Sequence, residues 1–384
     1  MIAPETEQGV AEAIRAAHDA RQPLAIEGAG SKRGMLRPVR AAETLTTRAL
    51  TGITLYKPAE LVISARAGTP IAEIEAALAE KGQQIISEPP SPLGVGGATL
   101  GGIAATNLSG PRRIAWGSMR DHMLGIRAVK GDGEVFRSGG RVLKNVTGLD
   151  LCKLLSGSHG TLGVLTEITF KVLPAAEATG TLAVSVPDVA AGVRALSAGL
   201  GSPFGVSGAA LLPGGLASLG LAGPVALLRI EDFAESVTYR KGRLREVLAP
   251  YGDVSLVEGA AARSLWRGVR DVTFLDAAPD EAVWRLSVAP SAAAAVCAAL
   301  PGAKLMLDWG GGLIWVAGEA SEAMHAAVVA ATGPGSFTLF RAPDALRGAV
   351  AVMPAEPAPL AAISARVKAL LDPAGILNPG RMGR

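Results

Sequence analysis

The stretch PPSPLGVGGATLGGIAATNLSGPRRIAWG, residues 89–117, limits what this chain can fold into more than any other. It carries Gly94, Gly96, Gly97, Gly101, Gly102, Gly110 and Gly117. Glycine loses the most backbone freedom on folding, so such density is costly unless the main chain has to be bare. The run is too apolar for a disordered segment, and structureless loops of this length are uncommon without a function. Close approach of a polyanionic ligand is one explanation; a plain glycine-rich surface loop is the other. Consecutive N–H groups in a turn make an anion-binding nest, and a helix opening near Gly101 would add its N-terminal dipole.

Two further glycine clusters strengthen the ligand reading. A short strand over residues 24–26 runs into Gly28-Ala29-Gly30-Ser31-Lys32-Arg33-Gly34, a strand-to-turn pattern suited to phosphate. It misses the dinucleotide fingerprint by one residue, and Pro38 spoils the helix that should follow, so a Rossmann NAD site fits poorly. Gly157, Gly160 and Gly163 precede a regular strand over residues 164–172. Around these lie an amphipathic helix at 7–21, a strand at 61–68, and a helix at 71–81 with Thr69 as its N-cap and Pro70 in its first turn. Two strands flank the turn Gly131-Asp132-Gly133.

With 384 residues, about two domains are expected. Pro174 closes the first. Strands then alternate with alanine-rich helices (188–200, 235–249, 291–299 and 319–331), the texture of an α+β cap. The uncharged run 203–228 is broken by Pro213, Pro224 and glycines, and reads as two strands and a turn, not as a membrane span. The tail forms an amphipathic helix over 360–371, and its Asp372-Pro373 and Asn378-Pro379-Gly380 turns predict docking back on the first domain. A net charge of +3 and no basic run with interleaved aromatics argue against nucleic acid. Cys152 and Cys297 stand far apart, cannot build a cluster or zinc site alone, and fit a reducing cytoplasm. The N-terminus has early acids and no apolar core, so no signal peptide is expected. The four histidines show no metal-ligand spacing.

The order EGAGS, TLGGIAATNLSG, WGSMRD, KNVTGLDLCKLLSGSHGTLGVLTEITFKVLP and LDPAGILNPGRM resembles the FAD-binding domain of the vanillyl-alcohol oxidase/PCMH flavoprotein family. Within it the motifs are most similar to FAD-binding subunits of bacterial glycolate oxidase complexes. The likeness covers residues 22–175 and 345–384 and is weaker between them. It implies an α+β fold: a two-subdomain PCMH-type FAD-binding domain (1–174), a cap (175–342) and a C-terminal segment (343–384) returning to the first domain.

The resemblance also implies FAD. Gly28, Ala29, Gly30, Ser31 and Lys32 would cradle the pyrophosphate. Ala98, Thr99, Gly101, Gly102, Ala105, Thr106 and Gly110 would lie along the ribityl chain and ring; Trp116, with Gly117, is a candidate to pack beside the flavin, or plain core filling. Gly157, Gly160, Gly163 and Val164 match the nucleotide side, and Asn378 the flavin edge. Gly30 stands where some relatives attach the flavin through histidine, so non-covalent FAD is expected. Lys144 is a candidate charge near the flavin, or an exposed lysine; His159 is a candidate catalytic group, or a loop histidine.

In the cap, relatives that oxidise 2-hydroxy acids carry H-x-G-D-G-N-L-H, which supplies a metal and a base. The most similar stretch is Asp308-Trp-Gly-Gly-Gly-Leu-Ile-Trp315, where both histidines and the acid are lost and no metal is implied. Arg270 and Arg285 are the candidates for binding a substrate carboxylate; surface or ion-paired arginines are the alternative. The resulting expectation is a cytoplasmic FAD-binding subunit, membrane-associated at most through its partners. Those partners are a larger FAD-containing catalytic subunit and an iron–sulfur subunit, acting on a small 2-hydroxy acid. A self-sufficient flavin oxidoreductase for another substrate and a non-catalytic flavin-binding scaffold are the rivals.

Overall fold

In the computed structural model, which describes residues 1–91, 97–141 and 148–383, both ends of the chain meet in one small core. Helix Glu7–Asp19 starts at Thr6, whose side chain accepts the Gly9 N–H. Its inward residues Val10, Ala11, Ile14 and Ala17 pack with Leu24, Leu45, Ile376 and Leu377. Strand Leu24–Glu27 lies parallel to Glu43–Thr46. On its open edge, the Leu24 N–H donates to Ile376 O (2.8 Å) and the Asn378 N–H to Leu24 O (3.0 Å), so the tail extends this sheet.

The second layer is an antiparallel sheet ordered Ile53–Lys57, Val62–Arg66, Val164–Pro174, Met123–Val129, Val135–Gly139, with Gln83–Ile85 paired to the far end of Val164–Pro174. Helices Ile71–Ala79 and Leu100–Thr106 cover one face, burying Ile74, Leu78, Ile103 and Ala104 against Phe170 and its neighbours. Thr69 does not cap its helix as the sequence predicts. Its hydroxyl accepts the Gly52 N–H (3.0 Å) and its carbonyl the Leu100 N–H (3.0 Å), so it ties three chain crossings together and leaves Pro70 at the cap position.

The cap is an eight-stranded sheet. Across it run Val254–Glu258, Ala178–Ser185, Val225–Asp232, Val206–Leu212, Lys304–Asp308, Leu313–Gly318, Ala282–Ser287 and Ser336–Arg341, all antiparallel. The run 203–228 holds Val206–Leu212 whole and the start of Val225–Asp232, neighbours inside the sheet. Every residue of Val206–Leu212 is buried, which is why its sequence is apolar without alternation. Met35 and Leu36 of the first domain join the cap's core, and the Leu36 N–H donates to Leu339 O.

A buried ion cluster also crosses the seam between the domains. Arg229 on the cap sheet donates to both oxygens of Glu88 (2.9 and 3.0 Å), and Arg112 to both oxygens of Glu231 (3.0 and 2.6 Å). Charges out of water are costly unless each is paired with good geometry, and here each is. The helix read at 360–371 is Ala358–Leu371. It turns no residue into a core, and Leu360, Ile363 and Leu370 are exposed. It is held instead at its end, where Lys368 Nζ meets Asp372, Thr161 O and Leu377 O.

Candidate functional site

Between the first strand, helix Leu100–Thr106, the 157–164 segment and the tail lies an open cleft of about 310 Å³, within the range of small-molecule sites, roughly 300–1,000 Å³. Of the residues singled out from sequence, Gly28, Ala29, Gly30, Ser31, Lys32, Thr99, Gly101, Gly102, Ala105, Thr106, Gly160, Gly163, Val164 and Asn378 line it. Segments more than three hundred positions apart therefore share one wall.

Five candidates lie outside the cleft. Ala98 is buried, its carbonyl taken by the Ile71 N–H. Gly110 is bare because the chain crosses Glu88 there: a Cβ would sit 2.3 Å from Glu88 O. Trp116 lies under Arg112, 5.6 Å from guanidinium to ring centroid. Gly117 wraps the Asp121 carboxylate, and Gly157 turns beside Asn107. Lys144, Gly94 and Gly96 lie outside the described residues.

The turn after the first strand offers unclaimed donors. Among the described residues, the N–H groups of Ala29, Gly30, Ser31 and Lys32 donate to no protein acceptor. Four successive unclaimed N–H groups in a half-buried turn that lines the cleft form a nest suited to a polyanion. The helix behind them does not contribute as the sequence predicts. The Leu100 and Gly101 N–H groups donate to Thr69 O and Ala67 O, and Gly102 N–H to Thr99 Oγ1. Gly101 is bare because a Cβ would lie 2.8 Å from Ala67 Cβ, whereas Gly102 opens toward Lys32, whose Nζ would be 3.8 Å away.

The cleft is positively charged. Among the described residues Lys32 Nζ has only the Ser31 hydroxyl, at 3.2 Å, and burial pushes its pKa down to about 8. Arg381 donates to Lys32 O and, at 3.3 Å, to Arg33 O and Arg37 O; burial, with Arg347 nearby, lowers it to about 10. Glu27 is taken by Arg33 and Asp344 by Arg347. His159, with φ of 52°, lines the wall; burial and then Arg381 and Lys32 hold it at about 3, so it stays neutral. Asn378 is a clamp. Its Oδ1 accepts the Ile26 N–H (2.7 Å) and its Nδ2 donates to Ile26 O (3.1 Å) and His159 O (2.9 Å). The donor set fits the pyrophosphate of a dinucleotide. Sequence reasoning missed Arg347 and Arg381; their only signal was the unusually rigid tail.

The cap candidates separate. Arg270 is spent on Asp271 (2.9 and 2.8 Å). The Arg285 guanidinium makes no hydrogen bond or ion pair with any described residue and sits 4.9 Å from the Trp309 ring centroid. Asp308, in a histidine's place, is buried and pushed up to about 8. Trp315 is core, edge-on to Phe340 at 4.9 Å. Among the described residues no group of three or more His, Cys, Asp or Glu could hold a metal, and no helix is long and apolar enough to cross a membrane.

Residues 1–139 match a family model described as FAD binding domain. The chain is 37% identical over 378 residues, 98% of its length and 97% of the relative's, to glycolate oxidase subunit GlcE of Escherichia coli K12. It is 31% identical over 190 residues, 49% of this chain and 42% of the relative, to a D-lactate dehydrogenase of Archaeoglobus fulgidus. To glycolate oxidase subunit GlcD of Bacillus subtilis it is 28% identical over 236 residues, 61% of this chain and 47% of the relative. The fold matches p-cresol methylhydroxylase with TM-score 0.75 at 14% identity, over 99% of this chain and 88% of that one. It matches 4-ethylphenol oxidase from Gulosibacter chungangensis with TM-score 0.74 at 14% identity, with the same coverage of 99% and 88%.

Proposed function

Because the chain belongs to the glycolate oxidase subunit GlcE family of FAD-binding flavoproteins, we propose that it serves as the FAD-binding subunit of a multi-subunit glycolate oxidase or dehydrogenase. The observation that carries this reading is the cleft: four amides at residues 29–32 unclaimed by any described residue, beside a lysine with no acidic partner among them. In the complex a partner's FAD would take the hydride that leaves C2 of glycolate as glyoxylate forms, while the second FAD, held by this chain, would serve electron relay or assembly.

The protein's own residues do the holding. The amides of Ala29, Gly30, Ser31 and Lys32 take the pyrophosphate, and the Lys32 ammonium offsets its charge. Gly102, Ala105 and Thr106 leave room for the ribityl chain and ring, and Gly160, Gly163 and Val164 flank the nucleotide. Asn378 positions the wall without a free polar atom of its own. Gly30 has no side chain to form a bond, so the flavin is non-covalent.

With neither histidine of the acid/base motif in the cap, removal of the hydroxyl proton by imidazole falls to a larger FAD-containing partner. Electrons leave through an iron–sulfur subunit, since Cys152 and Cys297 are separate and buried. The domains divide as 1–174 for the cofactor, 175–342 as a cap and 343–384 closing the cofactor site, in a cytoplasmic protein that reaches a membrane only through partners. Arg285 favours a second reading, a self-sufficient oxidoreductase that meets a carboxylate substrate itself.

The test is direct. The purified chain should bind FAD, show a flavin spectrum, and release the flavin on denaturation. It should reduce dye with glycolate only when its partner subunits are present. Colourless protein after FAD reconstitution would sink the reading; robust glycolate turnover by the chain alone would refute the subordinate role, and flavin bleaching by another substrate would favour the second reading.

A further inference from the structure

Helix Glu7–Asp19 buries Val10 and Ile14 in a core, whereas helix Ala358–Leu371 buries none of its 14 residues. Isolated helices of about 12–15 residues are marginal in water, and most helical stability comes from packing an apolar face. The anchor here is at the C-terminal end, where Lys368 Nζ bonds Thr161 O (2.6 Å), Leu377 O (3.1 Å) and Asp372 (2.6 Å). The rest of the helix has its apolar face open.

That face is a seam. Leu360, Ile363, Val367 and Leu370 recur at steps of three, four and three residues, the a and d positions of a heptad. Leu360 is 55%, Ile363 49% and Leu370 75% exposed, and Val367 is half-buried. Large apolar side chains exposed singly are ordinary, but a contiguous row marks an interaction site. Beside the seam a groove of about 730 Å³ separates the helix from residues 351–356, and Ala361, Ala365 and Ala369 line it from the helix side. Bulky side chains of another helix have room to enter there.

Charge selects the occupant. Arg366 takes the g position beside the seam, is exposed, and has no ion pair with any described acid. Lys368, the other cation of the helix, is held by Asp372. Charges at e and g set partner choice between paired helices. Residues 358–371 include no Asp or Glu, so pairing this helix with its own copy gives Arg366 no carboxylate, and the antiparallel arrangement sets it against its own counterpart. A different chain, with an acid in that place, is the complement.

We propose that helix Ala358–Leu371 is the docking face for another subunit, which lays an amphipathic helix along Leu360, Ile363 and Leu370 and sets a carboxylate on Arg366. Only the identity of that chain, a subunit of the glycolate-oxidising complex, rests on the proposed function. Through Lys368 the docked subunit would sit beside Leu377 and the tail residue Asn378 that lines the cofactor cleft.

The FAD-loaded chain is titrated with the larger FAD-containing subunit and the iron–sulfur subunit, and assembly is followed by light scattering and by glycolate-dependent dye reduction. Leu360→Glu with Ile363→Glu should weaken assembly about 30-fold or more. Flavin content and thermal unfolding of the substituted chain alone should match wild type. Arg366→Glu should slow association about tenfold at low salt, a difference that fades as salt is raised. Assembly undisturbed in both variants overturns this proposal alone and leaves the subunit reading standing. Wild-type chain that loads FAD yet joins neither subunit defeats that reading and the docking assignment with it. A wild-type homodimer that Ile363→Glu dissociates, or binding to phosphatidylglycerol vesicles that the same change abolishes, overturns the choice of occupant.

Discussion

Replacing Lys32 with methionine should stabilise the protein stripped of cofactor and, at the same time, weaken FAD. The ammonium's pKa falls from 10.5 to about 8 because it is buried, and among the described residues only a hydroxyl bonds it. At about 1.4 kcal/mol per pKa unit, that depression is a cost of about 3 kcal/mol in the folded state. Below about pH 8 both folded and unfolded chains carry the proton, and the whole cost is present. Between about pH 8 and 10.5 the unfolded chain binds more protons, so wild-type stability rises with pH through that window. Methionine has similar reach and no charge. It should add up to about 3 kcal/mol at neutral pH and flatten the rise. The opposite happens to the ligand: a charge-assisted bond to phosphate contributes about 1.5–3 kcal/mol, so the dissociation constant should grow about 10- to 100-fold. Urea unfolding of stripped protein at about pH 7 and pH 9.5 and flavin-fluorescence titration measure the two halves. A stripped variant less stable than wild type, with FAD affinity within about twofold, would show that the lysine is structural and refute the argument.

Neighbouring glycines should separate packing from binding. Gly101→Ala forces a Cβ to within 2.8 Å of Ala67 Cβ and should cost stability, about 1–3 kcal/mol in urea titration, with FAD affinity little changed. Gly102→Val projects into the cleft and should weaken FAD about tenfold or more while leaving thermal stability nearly intact. Asn378→Ala removes three hydrogen bonds and strands buried backbone groups at Ile26 and His159; a loss of about 2–4 kcal/mol is expected in chemical denaturation. Glu231 is lowered to about 2 by Arg229 and Arg112 against burial, which raises it. Its contribution is complete above about pH 4.5 and disappears as pH falls toward 2, about 3 kcal/mol that Glu231→Gln should make independent of acid.

Local chemistry was legible along the chain. The strand running into Gly28 and Gly30, the hairpin around residues 131–133 and the apolar strand inside 203–228 follow from patterns that neighbouring residues set among themselves. Motif order pointed to the flavoprotein family for the same reason: each turn is a local device, and the turns come in sequence. What could not be read was which residues face each other. Gly101 and Gly110 look like ligand glycines, yet their bareness answers Ala67 and Glu88, met only where the chain crosses itself. Arg270 and Arg285 look alike in sequence; one finds Asp271 beside it and the other finds only an indole. Asn378 reaches Ile26 across 352 positions. A side chain's charge and shape are properties of the residue, but its partner is a property of the packed chain, and at this site the partners decide the chemistry.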